Sequence, residues 1–503
     1  MRGIESVREG RDSRRLELGE FLPPRLHDEV EVYEPWLSEP WLSGPNRLLD
    51  EQGKPAASSA IISREEAQAL VQRVVAMSKA DGIDVQVGGG YTTNVRFADN
   101  QMSTAGAVTD FSVAVQSWFG KKHAVVQTNE ISDAALRSAI DKSERLAKLV
   151  PDDPEAMPML GQQQHRSVDA FFPSVAGMTA DDRARIALTA LEPARGAADL
   201  RAAGFLINGA NATALGNNKG LFAYHRSTNT NFTLTVRTTD GTGSGWAGAE
   251  HNDASKVDFA DVSRRAIEKA RLSRNPVAVE PGRYTVIFEP QAVGDICQLI
   301  GFYADARATD EGRSPFVKQG GGTKIGEKIM DERLSIYADP FDPQILAQPF
   351  DGDGLPLGRQ VFIENGVLKT LYYSRFWAQK KGVQPTGGPT SFLMNGGTAS
   401  IDEMIRSTER GILVTRLWYL REVDPRTILY TGLTRDGTFL IENGKVSKAV
   451  KNFRFNDSPL FMLNNLEMAG RPVRLAGTEA GGAVVVPPLK VRDFNFTSLS
   501  DAV

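Results

Sequence analysis

The stretch from Tyr284 to Phe316 constrains this chain more than any other, because it reads as a strand feeding directly into a helix. Tyr284 to Phe288 is a short β-branched and aromatic run. After Glu289-Pro290 the apolar residues change to helical spacing: Val293, Ile296, Cys297, Ile300 and Tyr303. The spacing predicts one helix from Pro290 to Ala306. Such junctions commonly carry metal ligands or a nucleophile into a cleft. The residues this helix offers for that work are Cys297, Gln298 and Phe302, which make no conventional hydrolytic site.

With 503 residues the chain has room for several domains and a sizeable core. Its net charge is −4 and no basic stripe stands out, which argues against a nucleic-acid partner. No apolar run approaches the roughly 18–20 residues of a membrane span, and no segment has the order of a secretory signal. A single cysteine cannot form an internal disulfide, so a cytoplasmic location is expected.

Residues 1–60 are proline-rich and contain a direct repeat, Glu34-Pro35-Trp36-Leu37-Ser38 then Glu39-Pro40-Trp41-Leu42-Ser43. They read as an N-terminal extension, either flexible or a docking arm anchored by its tryptophans. From 62 to 150 the pattern is a small α+β unit. Ser63 and Glu66 have capping-box spacing ahead of Ala67, Leu70, Val71 and Val74, strand runs follow, and Ser132 caps a second helix through Leu136, Ile140, Leu146 and Leu149. A Pro-, Gln- and Met-rich linker leads to a second unit, about 170–277, with the same order of helix, strands and helix. The Asp240-Gly241 turn lies within it.

From 282 to 503 the chain reads as a β-rich domain, a large mixed or antiparallel sheet covered by few helices. Two Asn-Gly turns, Asn365-Gly366 and Asn443-Gly444, sit between apolar runs and predict hairpins. The whole is of the α+β class.

Candidate chemistry is sparse. The five histidines, His27, His123, His165, His225 and His251, all precede the junction and none is at helical spacing from another, so a histidine zinc site is not expected. Asp351-Gly352-Asp353-Gly354 opens like a calcium loop but lacks the closing Glu, and reads as a tight polar turn. Gly320-Gly321-Gly322 precedes a lysine without matching a phosphate loop, and reads as a backbone bend or close approach. Cys297 has no base beside it, and its apolar neighbours favour a buried, inert thiol.

The junction, the glycine segments and the Glu-Asn-Gly hairpins together resemble the TldD/PmbA (TldE) family, known as modulators of DNA gyrase and as microcin-processing metallopeptidases. The resemblance covers about residues 62–495. Its best-matched pieces are Asp351 to Pro356 leading into Val361 to Lys369, the Phe439 to Val450 hairpin, and Val484 to Val491. Zinc-bearing members carry His-Glu-x-x-x-His on the helix after the opening strand, and a cysteine near the C-terminus. The metal activates water and the Glu takes its proton. This chain places Cys297, Gln298 and Phe302 at those positions, and Gly477 to Gly482 lacks the cysteine. The resemblance therefore implies the TldE/PmbA-type subunit, with no catalytic or metal residue of its own. Its zinc would reside in a TldD-type partner that forms a heterodimer with it, and the pair would act on extended peptides. Gly320, Gly321, Gly322, Asp351 and Asp353 would belong to loops around the substrate chamber. The alternative is a homodimeric binding or scaffold protein that kept the fold without proteolysis. Nothing in the residues reads as a gyrase-binding surface.

Overall fold

The structure, a computed structural model, describes residues 61–478 and 482–500. The tryptophan repeat and His27 lie outside the described residues. Helix α1 (Arg64–Met77) opens with the expected capping box: Ser63 Oγ accepts from Glu66 N at 3.2 Å, and Glu66 Oε2 accepts from Ser63 N at 2.8 Å. Then come β1 (Gly82–Ala98), β2 (Gln101–Phe119), β3 (Lys122–Thr128) and α2 (Asp133–Leu149). The second unit repeats the order. A short α3 (Pro173–Ala176) precedes α4 (Ala180–Arg195), β4 (Leu200–Asn217), β5 (Phe222–Thr238), β6 (Ser244–His251) and α5 (Phe259–Leu272).

These two units are halves of one sheet. Its strands run in the order β3-β2-β1-β4-β5-β6, with β1 and β4 paired antiparallel at the centre. Alternation along the strands separates two faces. Val85, Val87, Val95 and Phe97 of β1 point to one side, where α1 and α2 cover the first half and α4 and α5 the second. The opposite side, called here the open face, turns toward the C-terminal region. The shared architecture of the two units is thus an approximate two-fold about the β1–β4 seam.

Helix α5 lies on β6 at backbone distance. A Cβ at Gly245 would sit 2.3 Å from Ala266 O and 2.4 Å from Ala270 N. Gly245→Ala must lift the helix, and is expected to cost about 2–3 kcal/mol as overpacking. A lower urea midpoint with unchanged slope would register it.

The C-terminal region begins with β7 (Gly282–Phe288), followed by α6 (Pro290–Cys297), α7 (Leu299–Tyr303) and α8 (Ala306–Asp310). Next come β8 (Ile336–Ala338), β9 (Gln360–Glu364), β10 (Val367–Leu368), α9 (Arg375–Lys381) and β11 (Ser391–Met394). The later strands are β12 (Arg410–Val414), β13 (Leu417–Asp424), β14 (Leu429–Thr434), β15 (Thr438–Glu442), β16 (Lys445–Ala449), β17 (Phe453–Asp457) and β18 (Leu466–Ala469). The chain ends with β19 (Val473–Arg474), β20 (Ala483–Val486) and β21 (Leu489–Leu499).

The strands form two sheets where the pattern predicted one. A nine-stranded sheet runs β13-β14-β17-β21-β7-β12-β15-β16 with β18 paired to β21, and a six-stranded one runs β10-β9-β8-β11-β20-β19. Between them lies the largest core, in which Phe453 and Phe496 stack at 4.5 Å and Phe288 meets Phe494 edge-on at 4.8 Å. Both Asn-Gly hairpins form, with φ of 48° and 76° at Asn365 and Gly366, and 51° and 73° at Asn443 and Gly444.

Two further expectations fail. Leu149 is 77% exposed and not part of the α2 face, because it is the last residue before the chain leaves the helix. The single helix from Pro290 to Ala306 is three short ones. Gln298 separates α6 from α7, and Asp305 starts α8 as a new N-cap, its Oδ1 accepting from Ala308 N at 2.6 Å.

Candidate functional site

Strand β7 pairs parallel with β12 and antiparallel with β21, so its end is fixed on both sides before it enters α6. Pro290 takes the first helical position, where no N–H is missed. Glu289, the N-cap, turns its carboxylate to Lys269 on α5, Nζ to Oε2 2.5 Å, with the two side chains only 12% and 17% exposed. Every residue of α6 from Gln291 to Cys297 is buried.

One side of this helix is closed by a distant segment, Leu475 to Thr478. Gln291 Nε2 donates to Gly477 O at 2.8 Å and to Asp295 Oδ1 at 3.0 Å. Gln298 Nε2 donates to Thr478 Oγ1. Between these, Gly294 leaves the room the segment needs, since a Cβ there would lie 2.0 Å from Leu475 Cδ1 and 3.3 Å from Thr478 Cγ2. Asp295 Oδ2 in turn accepts from Leu417 N at 3.2 Å, tying α6 to the start of β13.

The three residues singled out at this junction, Cys297, Gln298 and Phe302, therefore have different fates. Gln298 meets the Gly477 region, so two places singled out separately in the sequence are neighbours. Cys297 faces the core and is 0% exposed, and burial pushes its thiol pKa up, against thiolate formation. Phe302 points outward, 63% exposed, while its neighbour Tyr303 donates to the Glu422 carboxylate and lies 3.0 Å from Tyr430 Oη. No zinc set is assembled by these residues: a buried thiol, a neutral amide and a phenyl ring on diverging sides do not fit the metal. Among the described residues no group of three or more His, Cys, Asp or Glu side chains converges.

The histidines are dispersed. His123 contacts Asp153 Oδ2 at 3.1 Å and Gln116 Nε2 at 2.8 Å. His165 reaches Gly354 O at 2.9 Å, and His251 Nδ1 accepts from Asp253 N at 2.9 Å. His225 is buried within β5, with its pKa lowered to about 4 by that burial.

The acidic loop is the tight polar turn expected. Asp351 Oδ1 accepts from Asp353 N at 3.0 Å and Leu355 N at 2.9 Å, and Gly354 has φ of 84°. The turn rests on the open face of the N-terminal sheet, where Gln86 Nε2 donates to Gly352 O at 3.4 Å. Asp353 also borders a cleft of about 370 Å³ between the two regions, with Asp84, Trp118, His123 and Arg375 on its other walls. Burial raises the pKa of both Asp84 and Asp353. Gly320, Gly321 and Gly322 form an exposed turn with φ of 90°, 107° and 84°. A Cβ at any of them would meet nothing within 4 Å, so a bend and not a close approach requires them.

Sequence reasoning missed the residues that seal the other end of the open face. Asn231 Nδ2 donates to Ala476 O at 2.7 Å, and Arg474 pairs with Glu250 at 3.1 Å and donates to Asn252 Oδ1 at 2.6 Å. Nearby, the Arg416 guanidinium lies 4.6 Å from the Trp246 ring and 5.1 Å from Trp418, and is paired with Asp436 at 3.2 Å. Gly294, a lone glycine within an apolar helical run, was the available signal for the close approach. Between the sealed ends the open face holds a trough of about 520 Å³ over Gly88, Gly90 and Gly209. No helix among the described residues is long and apolar enough to cross a membrane.

Three family descriptions match this chain: the PmbA/TldA metallopeptidase C-terminal domain over residues 281–498, the central domain over 173–274 and domain 1 over 83–147. A metalloprotease of Methanothermobacter thermautotrophicus is 27% identical over 238 residues, 44% of this chain and 50% of its own length. The metalloprotease PmbA of Escherichia coli O157:H7 is 26% identical over 239 residues, 46% of this chain and 50% of its own. These matches span about half the length of the curated relatives. Two crystal structures share the fold. TldE from Thermococcus kodakarensis has a TM-score of 0.74 at 19% identity, covering 86% of this chain and 99% of that one. A Thermotoga maritima protein named as a modulator of a DNA gyrase has a TM-score of 0.76 at 17% identity, covering 86% and 100%. With all three domain descriptions met in order around the β7–α6 junction, the chain belongs to the PmbA/TldD metallopeptidase family.

Proposed function

We propose that this chain is the TldE/PmbA-type subunit of a cytoplasmic TldD/TldE-type peptidase, holding extended peptides while a zinc-bearing homologue cleaves them. The observation that carries the reading is the state of the segment from the end of α6 through α7, Cys297 to Phe302. The residues that the resemblance equates with the family's ligands are a core thiol, an amide donating to Thr478 and an outward phenyl. Gln298 has no basic oxygen to take a proton from water, and Phe302 offers no lone pair to a cation.

What remains is a wall and an edge. Strand β13 ends the nine-stranded sheet, so it has an outer edge, and Asp295 fastens its first residue to α6. Tyr419, with φ of 56°, interrupts its pairing with β14. An extended peptide added along this edge gains backbone hydrogen bonds with little demand on its sequence. It would pass Trp418 and Arg421 on the way.

Purified alone, the full chain is expected to carry far less than one zinc per molecule by elemental analysis and to leave unfolded peptides intact. Adding a zinc-bearing family member should produce both a complex and hydrolysis. Stoichiometric zinc on the isolated chain, with chelator-sensitive cleavage, would sink the proposal. A metal-free homodimer that stays inert beside such partners would instead favour a scaffold.

A further inference from the structure

We infer that Arg435, beside Trp418, receives the terminal carboxylate of a peptide laid along the outer edge of β13, so that a free C-terminus is what this chain recognises. The inference rests on β13 taking an extended peptide, and it gives that peptide an end and a direction.

The site is built by ladder geometry. Leu417 stands opposite Thr434 where β13 and β14 pair, and one step further Arg435 N donates to Arg416 O at 3.1 Å. Arg416 and Arg435 are therefore opposite residues whose side chains rise from one face, and Trp418, two residues beyond Arg416, rises from the same one. Leu417 points the other way, into the core. The contacts agree: the Trp418 ring centroid lies 5.1 Å from the Arg416 guanidinium and 4.8 Å from that of Arg435. Trp246 of β6, with its ring 4.6 Å from Arg416, covers Arg416 from the N-terminal sheet.

The two guanidiniums have one carboxylate between them. Asp436 Oδ2 accepts from Arg416 Nη1 at 3.2 Å, and Oδ1 accepts from Ser244 Oγ at 2.7 Å. Arg435 Nε approaches Oδ2 only to 3.7 Å, too far for a hydrogen bond. The next carboxylates are engaged elsewhere, Asp295 with Leu417 N and Gln291 Nε2, and Glu289 with Lys269. Arg435, with its side chain 28% exposed, thus keeps a planar fork of donors with no acceptor of its own among the described residues, and Arg416 Nε is buried without one. A guanidinium held beside an indole and left unsatisfied suits a planar anion that takes two parallel N–H bonds, as a carboxylate does.

Position selects which carboxylate. Arg435 stands one strand in from the outer edge, ~4.8 Å, at the end where β13 begins. A chain that ends there can turn its last carboxylate over Trp418 to the guanidinium, whereas one that runs on carries its terminus away. A peptide ending at this point lies antiparallel to β13, its C-terminus at Leu417.

Isothermal titration of the full chain with short N-acetylated peptides of alanine, serine and valine tests the assignment. The peptides are a free acid, its C-terminal amide, and an amide with one internal glutamate. The free acid should bind about ten- to a hundredfold tighter than the plain amide, the range of charge-assisted hydrogen bonds, and the glutamate peptide should bind like the plain amide. Arg435→Gln, which leaves Asp436 its bonds to Arg416 and Ser244, should erase the preference, and Arg435→Lys, which keeps the charge without the fork, should retain only part of it. Equal binding of acid and amide overturns the carboxylate site while leaving the β13 edge standing, whereas a chain that binds none of the peptides overturns both. A glutamate peptide as tight as the free acid overturns the choice of the terminus, and a preference that survives in Arg435→Gln overturns the choice of residue.

Discussion

Replacing Lys269 with Met is expected to destabilise the protein by about 2–3 kcal/mol, below the range for removing one partner of a fully buried ion pair because this pair is part-buried. Lys269 sits on α5, beneath the N-terminal sheet, and Glu289 caps α6 in the C-terminal region, so the 2.5 Å contact joins the two regions at the junction itself. The ammonium also donates to Trp246 O at 3.3 Å. Without it, the part-buried Glu289 carboxylate, 17% exposed, is left with the N-terminal dipole of an eight-residue helix to offset its desolvation, worth about 0.3–1 kcal/mol. The double variant Lys269→Met/Glu289→Gln removes the stranded charge and should recover most of the loss.

Urea unfolding of the two single variants and the double gives the coupling energy directly. Hydrogen exchange adds a local readout, because α6 holds the Leu475–Thr478 segment through Gln291 and Gln298. Faster exchange in that segment in Lys269→Met would show that the pair positions the site as well as stabilising it. A cost under about 1 kcal/mol would place the pair with solvated surface bridges and end this account.

How far the sequence reveals this fold follows from the range of each interaction. The Asn365-Gly366 and Asn443-Gly444 hairpins and the Ser63–Glu66 cap are legible because everything they need lies within a few residues. The length of β1 is not: Gly88-Gly89-Gly90 breaks its apolar alternation where the strand crosses the trough and no helix covers it. The sharing of one sheet by two units is invisible for the same reason, as the β1–β4 register joins residues such as Val87 and Ala214. At the site, periodicity identified Cys297, Gln298 and Phe302 but placed them on a continuous helix. At the break, Gln298 meets a partner 180 residues away, Thr478, which no local pattern announces. Cys297, Gln298 and Phe302 were therefore readable as residue types, and their divergence only as geometry.

Between pH 6.5 and about 4, His225 is expected to make stability fall with acidity by about 3 kcal/mol in total. The ring lies within β5, opposite Thr213 on β4, and desolvation lowers its pKa from 6.5 to about 4. The unfolded imidazole takes its proton near 6.5 and the folded one only near 4. In that window the unfolded chain binds more protons, so stability rises with pH there and levels off above it. Other groups act in the same range with the opposite sign: burial raises the pKa of Asp84, Asp353 and Asp457, whose ionisation therefore costs stability as pH rises. Asp240, held down to about 2 by its hydrogen bonds with Thr238 and Thr242, titrates below the window. The total profile mixes these terms, so the informative quantity is the difference between His225→Gln and the parent at each pH. The parent should lose ground steadily to the variant from pH 7 to 4, whatever constant packing offset Gln introduces. A difference that stays flat across that range would mean the ring takes up its proton in the folded state without cost, and that the β5 site is open to water.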